Sequence, residues 1–286
     1  MEISLPERDG AYYNCLICSD IDMTFYSKDG VVPERNRREL RRYMERGGLF
    51  TFASGRNNFD LPLIIPDLEN TVNVPAVLCN GSLFFDVKSR KASDETFLDA
   101  KRAKKLFREA SDLFPDVGFR LTTRDGFLVP ERQTRIIKSL EDAGLIGITR
   151  LAPIEEITGE ETYKAVFIAA ADALPPLITY IKENYGDVFD VTASTKWNTE
   201  LQPKGVTKAV GVKKLKEAVK KYRPDIKLFC IGDYYNDIEM LEAADTAVCP
   251  ENAADEVKAV CDAVLCECGE GAVGDLIERI GENLPL

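Results

Sequence analysis

Residues 16–27 read LICSDIDMTFYS: an apolar run from Leu16 to Cys18 that leads into two carboxylates, Asp20 and Asp22, one residue apart. In an extended strand alternate residues share a face, so acids at this spacing crowd each other. Two like charges ~4 Å apart repel by roughly 4 kcal/mol at an effective dielectric of about 20. Nothing within the stretch neutralises them. A cation, a proton or both must come from elsewhere in the chain.

Working outward, VVPERNRRELRRYMERGG (31–48) reads as a helix. Pro33 suits its first turn, Leu40, Tyr43 and Met44 mark an apolar face, and Gly47 and Gly48 stop it. LFTFASGRN (49–57) is an apolar run ending in Ser54-Gly55-Arg56. Strand, helix, strand is the unit of a parallel sheet. PAVLCNGSLFFD (75–86) adds a short strand broken by a turn at Asn80-Gly81. Beyond about Phe97 the pattern changes to a mixture: helices over AKRAKKLFREASDLF and QTRIIKSLEDAG, strands over VGFRLTT, GFLVP, YKAVFIAA and FDVTAS, and a proline-interrupted helix through Tyr185. Near Gln202 the alternation resumes, with GVTKAVGVKKLKEAVKKY and NDIEMLEAA as helices and KLFCIGD and TAVCP as strands. The expectation is an α/β protein: a Rossmann-like parallel-sheet core over 1–97 and 193–286, interrupted by an inserted α+β domain over 98–192.

Composition narrows the function. At 286 residues the chain exceeds the usual domain of ~100 to 200 residues, which fits two domains. A net charge of -11 argues against nucleic acid, whose binders need a basic face. MEISLPERDG has no basic flank followed by an apolar core, and no apolar run approaches the ~18 to 20 residues of a membrane span. Cysteines such as Cys15, Cys18, Cys79 and Cys230 sit inside apolar runs, which suits buried thiols in a reducing cytoplasm. Cys261, Cys266 and Cys268 lack the paired spacing of a zinc site. With no histidine, imidazole chemistry is excluded, and proton transfer falls to carboxylate, lysine, tyrosine, cysteine or water.

KLFCIGD also ends in an acid, Asp233, followed by Tyr234, Tyr235, Asn236 and Asp237. Open parallel sheets bind ligands at the carboxyl ends of their strands. If these strands are neighbours, Asp20, Asp22, Asp233 and Asp237 converge there, and such oxygen donors suit Mg²⁺. A phosphate beside that cation needs further partners. Ser54 ends a strand at the same edge, Gly55 permits close backbone approach, and Lys208, near a helix start, can reach the edge and neutralise oxygens in transfer.

The combination resembles the haloacid dehalogenase (HAD) superfamily, and within it the Cof-type (subfamily IIB) phosphatases. DIDMT, FASGR, PKGVTK and GDYYND match the four motifs in order, and CNGSLFFD matches the segment before an inserted cap. The resemblance implies a HAD fold with an α/β cap that governs specificity, and a Mg²⁺-dependent phosphatase working through an aspartyl-phosphate. It implies Asp20 as nucleophile and Asp22 as general acid and base. Ser54 and Lys208 would hold the transferring phosphoryl group, with Gly55, Arg56, Asn80, Gly81 and Asn236 around the substrate. Mg²⁺ would sit between Asp20, the Asp22 backbone carbonyl, Asp233 and Asp237. Lys204 competes with Lys208 but precedes Gly205. Two positions depart from the family: Met23 where glycine is usual, and Ser19 where a bulky apolar residue is usual. On this reading Asp20 must be ionised and Asp22 must hold a proton for the leaving oxygen. The implied substrate is a small phosphorylated metabolite, with sugar phosphates first, for a cytoplasmic monomer or small homo-oligomer. A phosphomutase and a non-catalytic phosphometabolite binder are the alternatives. Arg120, Arg124 and Lys164 are the candidate cap contacts.

Overall fold

The computed structural model describes residues 3–7, 9–65 and 67–282, so part of the N-terminal segment read above (residues 1, 2 and 8) lies outside it. In chain order, β1 (Cys15–Ser19), α1 (Glu34–Glu45), β2 (Leu49–Phe52), the short helices α2 (Leu61–Ile64) and α3 (Leu68–Thr71), and β3 (Ala76–Leu78), β4 (Leu83–Asp86) and β5 (Lys91–Ser93) come first. Next are α4 (Ala100–Leu113), β6 (Gly118–Thr123), β7 (Gly126–Pro130), α5 (Thr134–Asp142), β8 (Thr149–Ala152), β9 (Thr162–Ile168), α6 (Leu174–Tyr185), β10 (Phe189–Thr195) and β11 (Asn198–Pro203). The chain closes with α7 (Lys208–Lys220), β12 (Lys227–Ile231), α8 (Ile238–Glu242), β13 (Thr246–Pro250), α9 (Asp255–Lys258), β14 (Ala263–Leu265) and α10 (Ala272–Glu282).

Two compact units result, one from Met1–Asp94 with Thr207–Leu286 and one from Glu95–Val206. The first is built on a parallel sheet in the order β14-β13-β12-β1-β2. Leu16, Ile17 and Cys18 are fully buried, as expected of a strand covered on both faces. Helix α1 seats Leu40 and Tyr43 in the core, and the Tyr43 hydroxyl lies 2.8 Å from the Cys15 carbonyl and 3.1 Å from that of Leu49, tying the helix to β1 and β2. The second unit is a six-stranded sheet, β10-β11-β9-β6-β7-β8. Leu106 and Phe107 of α4 and Leu177 and Ile181 of α6 share one apolar cluster with Phe119, Ala165 and Leu201, while Ile136 and Leu140 of α5 pack with Phe127 and Val129. No helix among the described residues is long and apolar enough to cross a membrane.

Three sequence expectations change. The return to the core falls at Thr207 rather than at 193, because NTELQP, read as no element, forms β11 between β9 and β10. PAVLCNGSLFFD is an antiparallel pair, β3 and β4, rather than a single broken strand. The helix expected from Gly205 begins at Lys208: Gly205 has φ +74, and Thr207 caps the helix by accepting from the Val210 N–H at 3.3 Å.

Candidate active site

The strands β1 and β12 are parallel neighbours in register, with Ser19 opposite Ile231, so both acidic loops leave the same sheet edge. The sheet's order also changes direction here: the chain goes from β1 to β2 on one side and returns through β12 on the other. Such a switch point opens a crevice beyond the strand ends.

Asp20 prolongs the ladder by donating its N–H to the Ile231 carbonyl at 2.9 Å. The buried Ser19 hydroxyl donates to the Asp20 carbonyl at 2.5 Å, so serine at this place ties down the backbone of the acid that follows. Beyond it the chain winds into a tight turn in which the N–H groups of Thr24, Phe25 and Tyr26 all point to the Ile21 carbonyl. Met23 takes the left-handed φ of +61 there, which explains why glycine suits the position; its carbonyl accepts from the Asn252 amide at 2.8 Å. Thr24 is buried and donates to Asp233 Oδ1 at 2.7 Å, locking the first loop to the loop after β12.

Lys208 sits 2.7 Å from Asp20 Oδ1 and 2.7 Å from Asp237 Oδ1. It reaches them from the first turn of α7, whose start lies against the β3–β4 turn: Gly81 has φ +101, and a Cβ there would meet the Thr207 carbonyl oxygen at 2.5 Å. Asp237 Oδ2 accepts the N–H groups of Asp233 (3.1 Å) and Tyr234 (3.3 Å). Gly232 makes room for it, since a Cβ there would lie 2.6 Å from that of Asp237. The expected rival Lys204 belongs to the second unit and pairs with Asp190 at 2.6 Å.

Of the four acids expected to converge, three do so: Asp20, Asp233 and Asp237 are buried, with carboxylate oxygens within 4.8 Å of one another. Among the described residues they are the one group of acids, cysteines or histidines placed to share a metal. Three carboxylates face one lysine, leaving an excess of two negative charges. Burial therefore pushes Asp20 up to about 8, against the pull of Lys208, and Asp233 up to about 7, despite the Thr24 hydrogen bond. Burial also works against charge on Lys208, but Asp20 and Asp237 outweigh it and raise its pKa. A dry, all-oxygen cluster short of positive charge fits a hard divalent cation.

The carboxylate of Asp22 does not join this group. Arg56 grips it through Nε to Oδ2 (2.8 Å) and Nη2 to Oδ1 (2.6 Å), and the Tyr26 hydroxyl donates to Oδ1 at 2.7 Å. Although burial alone would raise it, the Arg56 contacts hold Asp22 below the ordinary carboxylate range. Arg56 thus spends its fork on the Asp22 carboxylate, a contact that the sequence did not show. Ser54 is buried, fixed by its N–H to the Val77 carbonyl (2.9 Å), and its Oγ accepts the Arg56 N–H at 3.3 Å. Asn80 has φ +55 and donates its N–H to the Ser54 carbonyl at 2.9 Å, so the expected turn braces the serine loop. Asn236 is half-buried in the turn that carries Asp237. In the second unit, Lys164 is buried against Glu200 at 2.9 Å, Arg120 lies 4.5 Å over the Phe127 ring and Arg124 pairs with Glu95 and Glu161. Sequence reasoning missed Tyr26, which the tight turn carries back to Asp22.

The sequence pattern of the haloacid dehalogenase-like hydrolases matches residues 17–277, nearly the whole chain. The chain belongs to that family. This HAD-family phosphatase is 26% identical to the 5-amino-6-(5-phospho-D-ribitylamino)uracil phosphatase YwtE of Bacillus subtilis, over 92% of this chain and 97% of that one. Its fold matches a haloacid dehalogenase-like hydrolase from Bacteroides thetaiotaomicron with a TM-score of 0.78 at 22% identity, covering 93% and 98% of the two chains. It matches a subclass IIB sugar phosphatase with a TM-score of 0.76 at 18% identity, again covering 93% and 98%. The HAD fold with an inserted α+β cap follows.

Proposed function

We propose that this enzyme hydrolyses phosphate monoesters of small polyhydroxylated metabolites, sugar or sugar-alcohol phosphates, through an aspartyl-phosphate on Asp20. The observation that carries the proposal is Asp20 at the end of β1, buried beside Lys208 at 2.7 Å and within an acid group suited to Mg²⁺. Asp20, Asp233 and Asp237 would hold the Mg²⁺, which supplies positive charge to the phosphoryl oxygens and keeps Asp20 ionised.

In the first half-reaction an Asp20 oxygen attacks phosphorus and the P–O bond to the leaving group breaks, while Asp22, which takes up a proton when the negative charge of the ester comes to lie beside it, passes that proton to the departing oxygen. In the second, water attacks phosphorus, Asp22 takes its proton, and the Asp20–phosphorus bond breaks to release inorganic phosphate. Lys208 and the Ser54 hydroxyl stabilise the oxygens in transfer, and Asp237 aims Lys208. The substrate class rests on relatives that act on a phosphorylated ribityl compound and on sugar phosphates. Phosphate release across a panel of phosphorylated metabolites with Mg²⁺ tests it. Sugar and polyol phosphates should lead the panel; phosphate returned to a second position of the sugar, without release, would make the enzyme a mutase instead.

A further inference from the structure

Resting on that reading, we infer that Arg56 and Tyr26 are positioning residues that fix the Asp22 carboxylate so that Oδ2 is the atom exchanging protons with substrate and water. A carboxylate offers about four lone-pair sites. Oδ1 uses both of its sites, on Arg56 Nη2 and the Tyr26 hydroxyl, whereas Oδ2 uses one, on Arg56 Nε. The free site on Oδ2 is therefore the one left for chemistry. The Asp22 side chain is 48% exposed, so that site is open to an incoming ester.

The clamp is itself braced. Arg56 Nη2 lies 3.0 Å from the Tyr26 oxygen, and Nη1 faces Asp60 at 3.6 Å. Asp60 is buried and accepts the Asn57 N–H at 2.9 Å, while Asn57 Oδ1 accepts the N–H groups of Phe59 and Asp60, which stiffens the loop carrying Arg56. On the other side, the left-handed Met23 turn brings Tyr26 into a backbone bridge with Asp22. A bidentate guanidinium fixes the plane of its carboxylate as well as its position, which a lysine cannot do.

The test uses Arg56→Lys and Tyr26→Phe, each alone and combined with Asp22→Asn. It compares p-nitrophenyl phosphate, whose phenolate leaves unaided, with an alkyl phosphate that needs a proton. Misplacing a catalytic group by about 1 Å costs on the order of 10²-fold. Arg56→Lys should accordingly lower kcat/KM on the alkyl ester by roughly 10- to 100-fold and leave kcat/KM on p-nitrophenyl phosphate, which reads only the steps up to departure of the phenolate, within about threefold. Tyr26→Phe should cost about tenfold on the alkyl ester, the worth of one charge-assisted hydrogen bond, and serves alone if Arg56→Lys does not fold. Because both act through Asp22, neither should cost anything further in the Asp22→Asn protein. Equal losses of kcat/KM on both esters, or losses that persist undiminished beside Asp22→Asn, would overturn the inference and make Arg56 a direct phosphate ligand. A wild-type enzyme inactive on every ester would overturn the phosphatase reading itself, an outcome distinct from active variants with additive losses.

Discussion

Lys208 is the residue on which the acid group depends. It is one buried cation among three buried carboxylates, touching two of them. Replacing it by methionine keeps much of the volume and leaves the acids uncompensated. Losing one partner of a buried ion pair typically costs about 3 to 5 kcal/mol. The loss should depend on pH. Asp20 and Asp233 already titrate high, at about 8 and about 7, because of burial. A folded-state pKa above the unfolded value means that the folded protein binds the extra protons between the two values, so stability falls as pH rises through that window. In Lys208→Met, with divalent cations chelated, urea unfolding should show a small deficit at pH 5, where protons replace the lysine, and the full deficit at pH 8. A deficit independent of pH would mean that Lys208 acts through packing alone. At this scale the sequence was informative where an acid ended an apolar run: Asp20 and Asp233 leave neighbouring strand ends, and Lys208, read near a helix start, opens α7 beside Asp20. The contacts of Asp22 were not legible in it, because Arg56 is 34 residues away and Tyr26 arrives through a left-handed turn at Met23 that no periodicity announces.

At the scale of elements, catalytic geometry depends on how the start of α7 is held. The helix delivers Lys208 from its first turn, and that turn is pressed on Gly81. Gly81→Ala would both strain a φ of +101 and drive a Cβ into the Thr207 carbonyl, which can be relieved only by moving the β3–β4 turn or the helix start. It should destabilise the protein by roughly 1 to 3 kcal/mol and lower kcat, with Lys208 drawn from Asp20. Gly205→Ala is the control: φ is +74 but nothing lies within 4 Å of the added Cβ, so it should cost only the backbone term of about 1 kcal/mol and leave kcat near wild type. Differential scanning calorimetry and steady-state assays on the two variants check this; equal effects on kcat would show that Lys208 is not placed by the Gly81 contact. The β1–α1–β2 unit and β12 were legible because their strands are buried on both faces and read as unbroken apolar runs. The hairpin β3–β4 was not, since a turn centred on Asn80-Gly81 looks the same whether the chain doubles back or bends.

Over the whole molecule, the two-unit plan was legible as a change of pattern, whereas its second boundary was not. Strand β11, NTELQP, carries Leu201 as its one aliphatic residue and ends in Pro203, so no apolar run or alternation marks it as a strand. Charge is the other global quantity. A chain of net charge -11 that concentrates three acids in one buried site should gain stability from a divalent cation. Since binding must displace the protons that burial holds on Asp20 and Asp233, the apparent affinity should weaken by about tenfold or more per pH unit below about 7. Thermal melting with and without Mg²⁺ should therefore show a larger upward shift at pH 8 than at pH 5.5, and Asp233→Asn should abolish most of it. A shift unaffected by that change would place the cation elsewhere.

The phosphoenzyme itself can be trapped. In Asp22→Asn the first half-reaction still proceeds with p-nitrophenyl phosphate, whose leaving group needs no proton, while the second lacks its base. Rapid mixing with Mg²⁺ should give a burst of nitrophenolate stoichiometric with enzyme, and peptide mass mapping after an acid quench should find the added phosphoryl group on Asp20. Turnover with neither burst nor adduct, or an adduct on any other residue, would contradict Asp20 as the nucleophile.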